Sequence, residues 1–188
     1  MKQLSSEQIK IWAEKIVQSD KEAYNTLFRE FFSPLVYFAT KYTQNHAVSH
    51  DIVQDIFVTV WMERQDIDPH RSLKSYLFKM VRNKALNYNR DHADKLVALE
   101  QVNLSIIESF QMPAENENTS RLTEKFREWI NELPDRRREA FELSRYDGLD
   151  HDEIAEVMNL SVKTVNNHIV AALSHLRDCY KRYNEKLM

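Results

Sequence analysis

The chain has a single glycine, four prolines and a single cysteine in 188 residues, and each shortage removes a class of protein. Gly148 alone cannot build a glycine-rich phosphate loop or a dinucleotide fingerprint, because both need several residues at positive φ or in close approach to phosphate. Nucleotide enzymes of those kinds are excluded. Cys179 has no partner for an internal disulfide, and the opening stretch MKQLSSEQIKIWAEKIV lacks the uninterrupted apolar core of a signal peptide. No run approaches the roughly 18 apolar residues a membrane span requires. A cytoplasmic protein with no membrane insertion is expected. Scarce glycine and proline beside an ordinary 43% of hydrophobic residues favour an all-α fold. The length allows one medium domain or two small ones.

A net charge of -3 argues at first against a nucleic-acid partner, but the charges are unevenly placed. Between residues 71 and 95, Arg71, Lys74, Lys79, Arg82, Lys84, Arg90 and Lys95 face only Asp91 and Asp94. That is a local basic patch. Residues 96–119 then hold no basic side chain and end in a polar, proline-containing run that buries little surface. The sequence therefore divides into a helical domain over 1–95, an acidic linker over 96–119 and a second helical domain over 120–188.

In the first domain Asp20 is an N-cap signal for a helix through Phe32, and Ser33 followed by Pro34 is a second cap-plus-proline signal for a helix to about Thr43. From Ala47 to Glu63, Val48, Ile52, Val53, Ile56, Phe57, Val60 and Trp61 fall at helical spacing. The stretch RQDIDPH breaks that pattern, and Ser72 opens a helix whose core side is Leu73, Leu77, Met80, Val81 and Tyr88. Its other side is basic and amide-rich.

In the second domain a helix from Ser120 meets Leu133 and Pro134, and the next runs from Asp135 to Tyr146 and stops at Gly148. Asp150 with Glu153 forms a capping box, Asn159 can take the left-handed conformation, and Ser161 can cap the helix after it. This is the spacing of a helix-turn-helix. Ile154, Met158, Leu160, Val165 and Ile169 fill its elbow, with Ala155 allowing close crossing. On the last helix Val162, Val165, Ile169, Leu173, Leu176 and Tyr180 form an apolar stripe. Lys163, Thr164, Asn167, Ala171 and Ser174 lie opposite, flanked by Asn166 and His168, and no acid occurs from Ser161 to Arg177. Such a face suits the major groove: asparagine pairs with adenine, threonine's methyl with thymine, lysine with guanine or phosphate. A helical hairpin with a solvated polar side has the same pattern. Of Arg136, Arg137 and Arg138, three neighbours cannot share one helical face, so at most two reach phosphates and the third is solvated.

With these features placed, the sequence resembles the extracytoplasmic-function sigma factors, the small bacterial initiation factors of RNA polymerase. HDIVQDIFVTVWME is similar to the family's core-polymerase-binding helix. LKSYLFKMVRNKALNYNRDH is similar to its promoter-melting helix, and ELPDRRREAFELSRYDGLDHDEIAEVMNLSVKTVNNHIVAALSHLR to its upstream-element-binding domain. The resemblance implies that Asp51, Gln54, Asp55, Trp61 and Glu63 grip core polymerase, an aromatic anchor ringed by acids suiting a basic partner helix. It implies that Arg71, Tyr76, Lys79, Arg82, Asn83 and Arg90 act on melted promoter DNA. The loop Asp66–Arg71 would form a pocket for a flipped base. Trp61 and Tyr76 suit a core position equally well, Tyr76 beside Leu73 and Met80. The upstream element falls to Lys163, Thr164, Asn166, Asn167, His168 and Ala171, with Arg136 and Arg137 on phosphates. Many members carry arginine where this chain has Asn166, Asn167 and His168, which leaves the element's sequence open. The resemblance further implies an anti-sigma factor, and a linker running near the RNA exit path.

Two other readings use the same residues. A conventional helix-turn-helix regulator acting without core polymerase would share the C-terminal half, but residues 20–92 show no strand–helix alternation of a receiver domain. A metal-dependent hydrolase would draw on His46, His50, Asp51, His151 and Asp152. Two histidines at i, i+4 lack a third ligand at recognisable spacing. No catalytic residue, cofactor or metal site is expected.

Overall fold

The structure, a computed structural model, describes residues 5–92 and 117–185. They divide between two compact units. The described residues of unit one form α1 (Ser6–Val17), α2 (Lys21–Thr43), α3 (His46–Met62), a 3-10 turn (Arg64–Asp66) and α4 (Leu73–Asp91). Those of unit two form α5 (Glu117–Asn131), α6 (Asp135–Arg145), α7 (His151–Met158) and α8 (Val162–Glu185). No strand occurs among the described residues. The all-α expectation holds, with two helical units. The linker expected over 96–119 lies outside the described residues up to Asn116, while 117–119 already belong to α5.

Unit one is built around α2, which packs on α1, α3 and α4. Asp20 caps it as expected, its carboxylate accepting from the amides of Glu22 and Ala23. The break expected at Ser33–Pro34 does not occur; α2 continues through Pro34 to Thr43. An interior proline costs about 3 kcal/mol. Leu27, Phe31, Leu35, Phe38 and Ala39 carry one buried stripe straight across it, and each large member is worth roughly 1.5–3 kcal/mol of burial. Tertiary packing therefore outweighs the local signal. A left-handed Gln44 (φ 51°) ends α2, and Asn45 caps α3 through the amide of Val48. Helix α1 is not announced by any cap or periodicity signal noted in the sequence. Ser5 caps it, and Ile9, Trp12, Ala13 and Ile16 bury one stripe at i, i+3, i+4, i+7.

In unit two, α5 lays Leu122, Phe126, Trp129 and Ile130, and the turn after it Leu133, against Ala172, Leu173, Leu176 and Tyr183 of α8. Gly148 stands at φ 64° beyond α6, where a Cβ would be penalised. The elbow between α7 and α8 is closed by buried Ile154, Ala155, Met158, Val165 and Ile169. Leu160 is half-buried. Among the described residues no helix is long and apolar enough to cross a membrane.

Candidate nucleic-acid and protein interfaces

The turn into α8 is assembled by local hydrogen bonds that the sequence announces. Asp150 accepts from the Glu153 amide at 2.8 Å, and Glu153 accepts from the Asp150 amide at 2.9 Å. Asn159 sits at φ 53°, ψ 52°, where the asparagine side chain tolerates the left-handed conformation. The Leu160 amide then bonds back to Ala155. Ser161 accepts from the Thr164 amide at 3.1 Å, and its hydroxyl shares a 2.8 Å bond with the Thr164 hydroxyl. Thr164 is thus tied into the cap and half-buried.

Helix α8 turns Val165, Ile169, Ala172, Leu176 and Cys179 inward. Val162 and Tyr180, expected in that stripe, are each 40% exposed at its edge. The stripe instead takes in Ala172 and ends on Cys179, neither of which the apolar pattern names. Lys163, Asn166, Asn167 and Ser174 are exposed on the other side, while His168 and Ala171 are half-buried at its border. Val170 stands among them at 56% exposure, an apolar contact the polar pattern hid. On α6, Arg136 and Arg137 are exposed. Arg138 is not solvated as expected: it donates to the Asn131 carbonyl at 3.0 Å and to the Asp135 carboxylate. It joins the end of α5 to the start of α6.

In unit one, Asp51, Gln54 and Asp55 are exposed along α3. Val58 and Met62 continue the same row at 61% and 72% exposure, so the acidic face carries an apolar end that sequence reading did not single out. Beside it a groove of about 310 Å³ runs between Tyr24, Val58, Trp61 and Met62. Trp61 is half-buried, its ring 4.9 Å from that of Tyr24, with the Arg64 guanidinium 4.6 Å above it. It is at once a packed residue and a groove wall. Tyr24 donates to the Phe57 carbonyl at 2.9 Å, and burial raises its pKa. Glu63 caps the end of α3 and is exposed. Asp55, exposed, meets half-buried Lys84 of α4 at 3.3 Å, and a surface pair of this kind contributes little.

On α4 the expected DNA face divides. Asn83 and Arg90 are exposed and Lys79 is half-buried, but Arg82 is only 6% exposed. Arg82 is engaged by other groups of the chain. Its position one residue after Val81, on the side occupied by Phe78 and Ala85, turns it inward. The reading of Arg82 as a side chain free for DNA is therefore corrected. Leu86 and Asn87 extend the exposed row. Before α4, Arg71 is exposed, and the loop is shaped by Asp68, whose carboxylate accepts from the His70 amide at 2.9 Å. Tyr76 is half-buried, with its pKa raised by burial and then by the charges of Glu63 and Asp66.

Among the described residues, His46, His50, His151 and the aspartates beside them belong to no group of three possible metal ligands. The His46 and His50 rings lie 6.5 Å apart, and His50 sits edge-on to Phe32. No third ligand joins them among the described residues.

A family model of Sigma-70 region 2 matches residues 27–94, and one of Sigma-70, region 4 matches residues 123–176. The ECF RNA polymerase sigma-E factor of Haemophilus influenzae is 24% identical over 85% of this chain and 88% of that protein. The ECF RNA polymerase sigma factor SigM of Bacillus subtilis is 24% identical over 83% and 94%. The chain belongs to the extracytoplasmic-function sigma factors. The Escherichia coli K12 sigma-E factor is 26% identical over 89% of this sigma factor and 92% of its own length. CnrH, solved in complex with the cytosolic domain of CnrY, shares the fold at a TM-score of 0.60 and 23% identity, over 93% of this chain and 97% of that one. RpoE, solved with the anti-sigma factor NepR from Bartonella quintana, does so at 0.59 and 21%, over 84% and 96%. As an RNA polymerase sigma factor the protein is a transcription initiation factor, not an enzyme, and its partners are core polymerase and promoter DNA.

Proposed function

We propose that this sigma factor divides initiation among three exposed helical faces. Lys163, Asn166 and Asn167 of α8 read the upstream promoter element, with Val170 adding an apolar contact to a thymine methyl and Arg136 and Arg137 holding phosphates. Asp51, Gln54 and Asp55 hold core polymerase, and Val58, Trp61 and Met62 supply the apolar anchor an acidic face alone lacks. Asn83 and Arg90, with Arg71, Lys79 and Tyr76, hold the strand once it opens. The two functional domains are 1–95 and 120–188, with an acidic linker between them. The protein works in the cytoplasm and is held silent by an anti-sigma factor. The observation that carries the reading is the fully capped helix-turn-helix, which presents a long helix whose exposed side has amides and a lysine but no acid from Ser161 to Arg177.

Exposed Arg136 and Arg137 differ from inward-bonded Arg138, which gives a test. In the holoenzyme, Arg136→Gln and Arg137→Gln should each weaken promoter binding evenly across sequences and reduce the slope of log affinity against log salt by about 0.9. Arg138→Gln should instead lower thermal stability and leave the slope unchanged. Promoter titrations at several salt concentrations measure both. A change of base preference in either exposed variant would contradict the phosphate role.

A further inference from the structure

Glu132, just beyond α5, meets His175 and Cys179 of α8 on a side of unit two that promoter reading does not use. His175 Nε2 lies 3.5 Å from Glu132 Oε2 and 3.5 Å from Cys179 Sγ. The three ligand atoms fall within 4.8 Å of one another. His175 and Cys179 are four residues apart, so both reach one point from successive turns of a single helix. Cys179 is buried in the core formed by Trp129, Phe141 and Leu176, which fixes its position. We propose that Glu132, His175 and Cys179 bind a Zn²⁺ ion, with water in the fourth position.

Tetrahedral zinc with bonds of about 2.0–2.3 Å to nitrogen, oxygen and sulfur sets its donors roughly 3.3–3.6 Å apart. Two of the three separations already have that value. The third closes by rotation of Glu132, which is exposed and stands outside the helix. A thiolate, an imidazole and a carboxylate together suit zinc over harder cations, which prefer oxygen alone. The sulfur has an outer-shell donor as well: Arg182 Nη2 donates to Cys179 Sγ at 3.2 Å. That contact orients the sulfur toward the cluster, and a bound thiolate with the Glu132 carboxylate would offset the ion's charge. An open cleft of about 440 Å³ reaches Cys179 past Trp129, Glu132 and Tyr183, giving the ion a path. Bound there, the ion would tie the junction after α5 to the later turns of α8.

The test uses full-length purified protein titrated with Co²⁺, a spectroscopic probe for the same tetrahedral donors. Binding should saturate at a single equivalent, with a thiolate-to-cobalt charge-transfer band in the near ultraviolet, and Zn²⁺ should displace it. Cys179→Ser should abolish the band. Arg182→Gln should weaken binding about tenfold with the band retained, as expected for an outer-shell partner, and Glu132→Gln and His175→Ala should weaken it further. The double variant His46→Ala with His50→Ala should bind as the parent does. Circular dichroism without metal checks folding; should Cys179→Ser fail it, His175→Ala decides, because that side chain is 34% exposed and leaves no core cavity. Saturation without the charge-transfer band, or affinity unmoved in both His175→Ala and Glu132→Gln, would overturn the site. None of these readouts involves promoter DNA, so they stand or fall apart from the assignment of the DNA faces.

Discussion

Replacing Asn83 and Arg90 together by alanine is expected to lower transcription from a duplex promoter by on the order of 30- to 100-fold, and to leave a pre-melted bubble template transcribed nearly as by the parent. Both side chains are exposed on α4, and the ion pair of Arg90 with neighbouring Asp91 lies in solvent. Their removal therefore breaks nothing inside unit one. A charge-assisted bond to phosphate and an amide contact to an unpaired base together contribute roughly 2–3 kcal/mol, and each 1.4 kcal/mol is about tenfold. That energy offsets base-pair opening, which a mismatched bubble has already supplied. The checks are transcription on duplex and bubble templates side by side, with core-polymerase binding measured separately. Equal loss on both templates, or loss of polymerase binding, would move these residues to another role.

A neighbouring residue should fail differently. Arg82→Ala is expected to destabilise unit one by about 3 kcal/mol, because it removes a buried stem and breaks the contacts that engage its charged group. Against a total domain stability of about 5–15 kcal/mol that is a large fraction. Urea unfolding should show a lowered midpoint, and transcription should fall on duplex and bubble templates alike. A variant with the parent's midpoint and a defect confined to duplex DNA would return Arg82 to the DNA face.

These two expectations rest on the same helix, and they show where sequence reading stops. Caps are legible because their chemistry is local: Ser72, Asp150 with Glu153, Asn159 and Ser161 all occupy the positions their side chains suggest. Helical periodicity likewise places α3, α4 and, at Val165, Ile169 and Leu176, part of the inner side of α8. What it could not give depends on contacts distant in sequence. Pro34 reads as a helix start until the stripe from Leu27 to Ala39 is seen packed against three helices. Arg82 reads as a DNA contact because basic residues belong outside by default, and only the packing of α4 turns it inward. Val58, Met62 and Val170 are apolar, yet they stand on exposed faces. The sequence reading did not single out His175 and Cys179, whose third member, Glu132, arrives only through the packing of α5 on α8.

The most direct measurement of the account is run-off transcription by core polymerase with this chain, over all single-base variants of an upstream element. Genomic fragments transcribed only when both components are present would supply that element. Asn167→Ala is exposed and free of packing duty, so it should lose roughly 1–3 kcal/mol of discrimination at one base position and leave the others as they were. The profile of Asn167→Ala superimposing on that of the parent at every position would contradict the assignment of α8 as the reading helix.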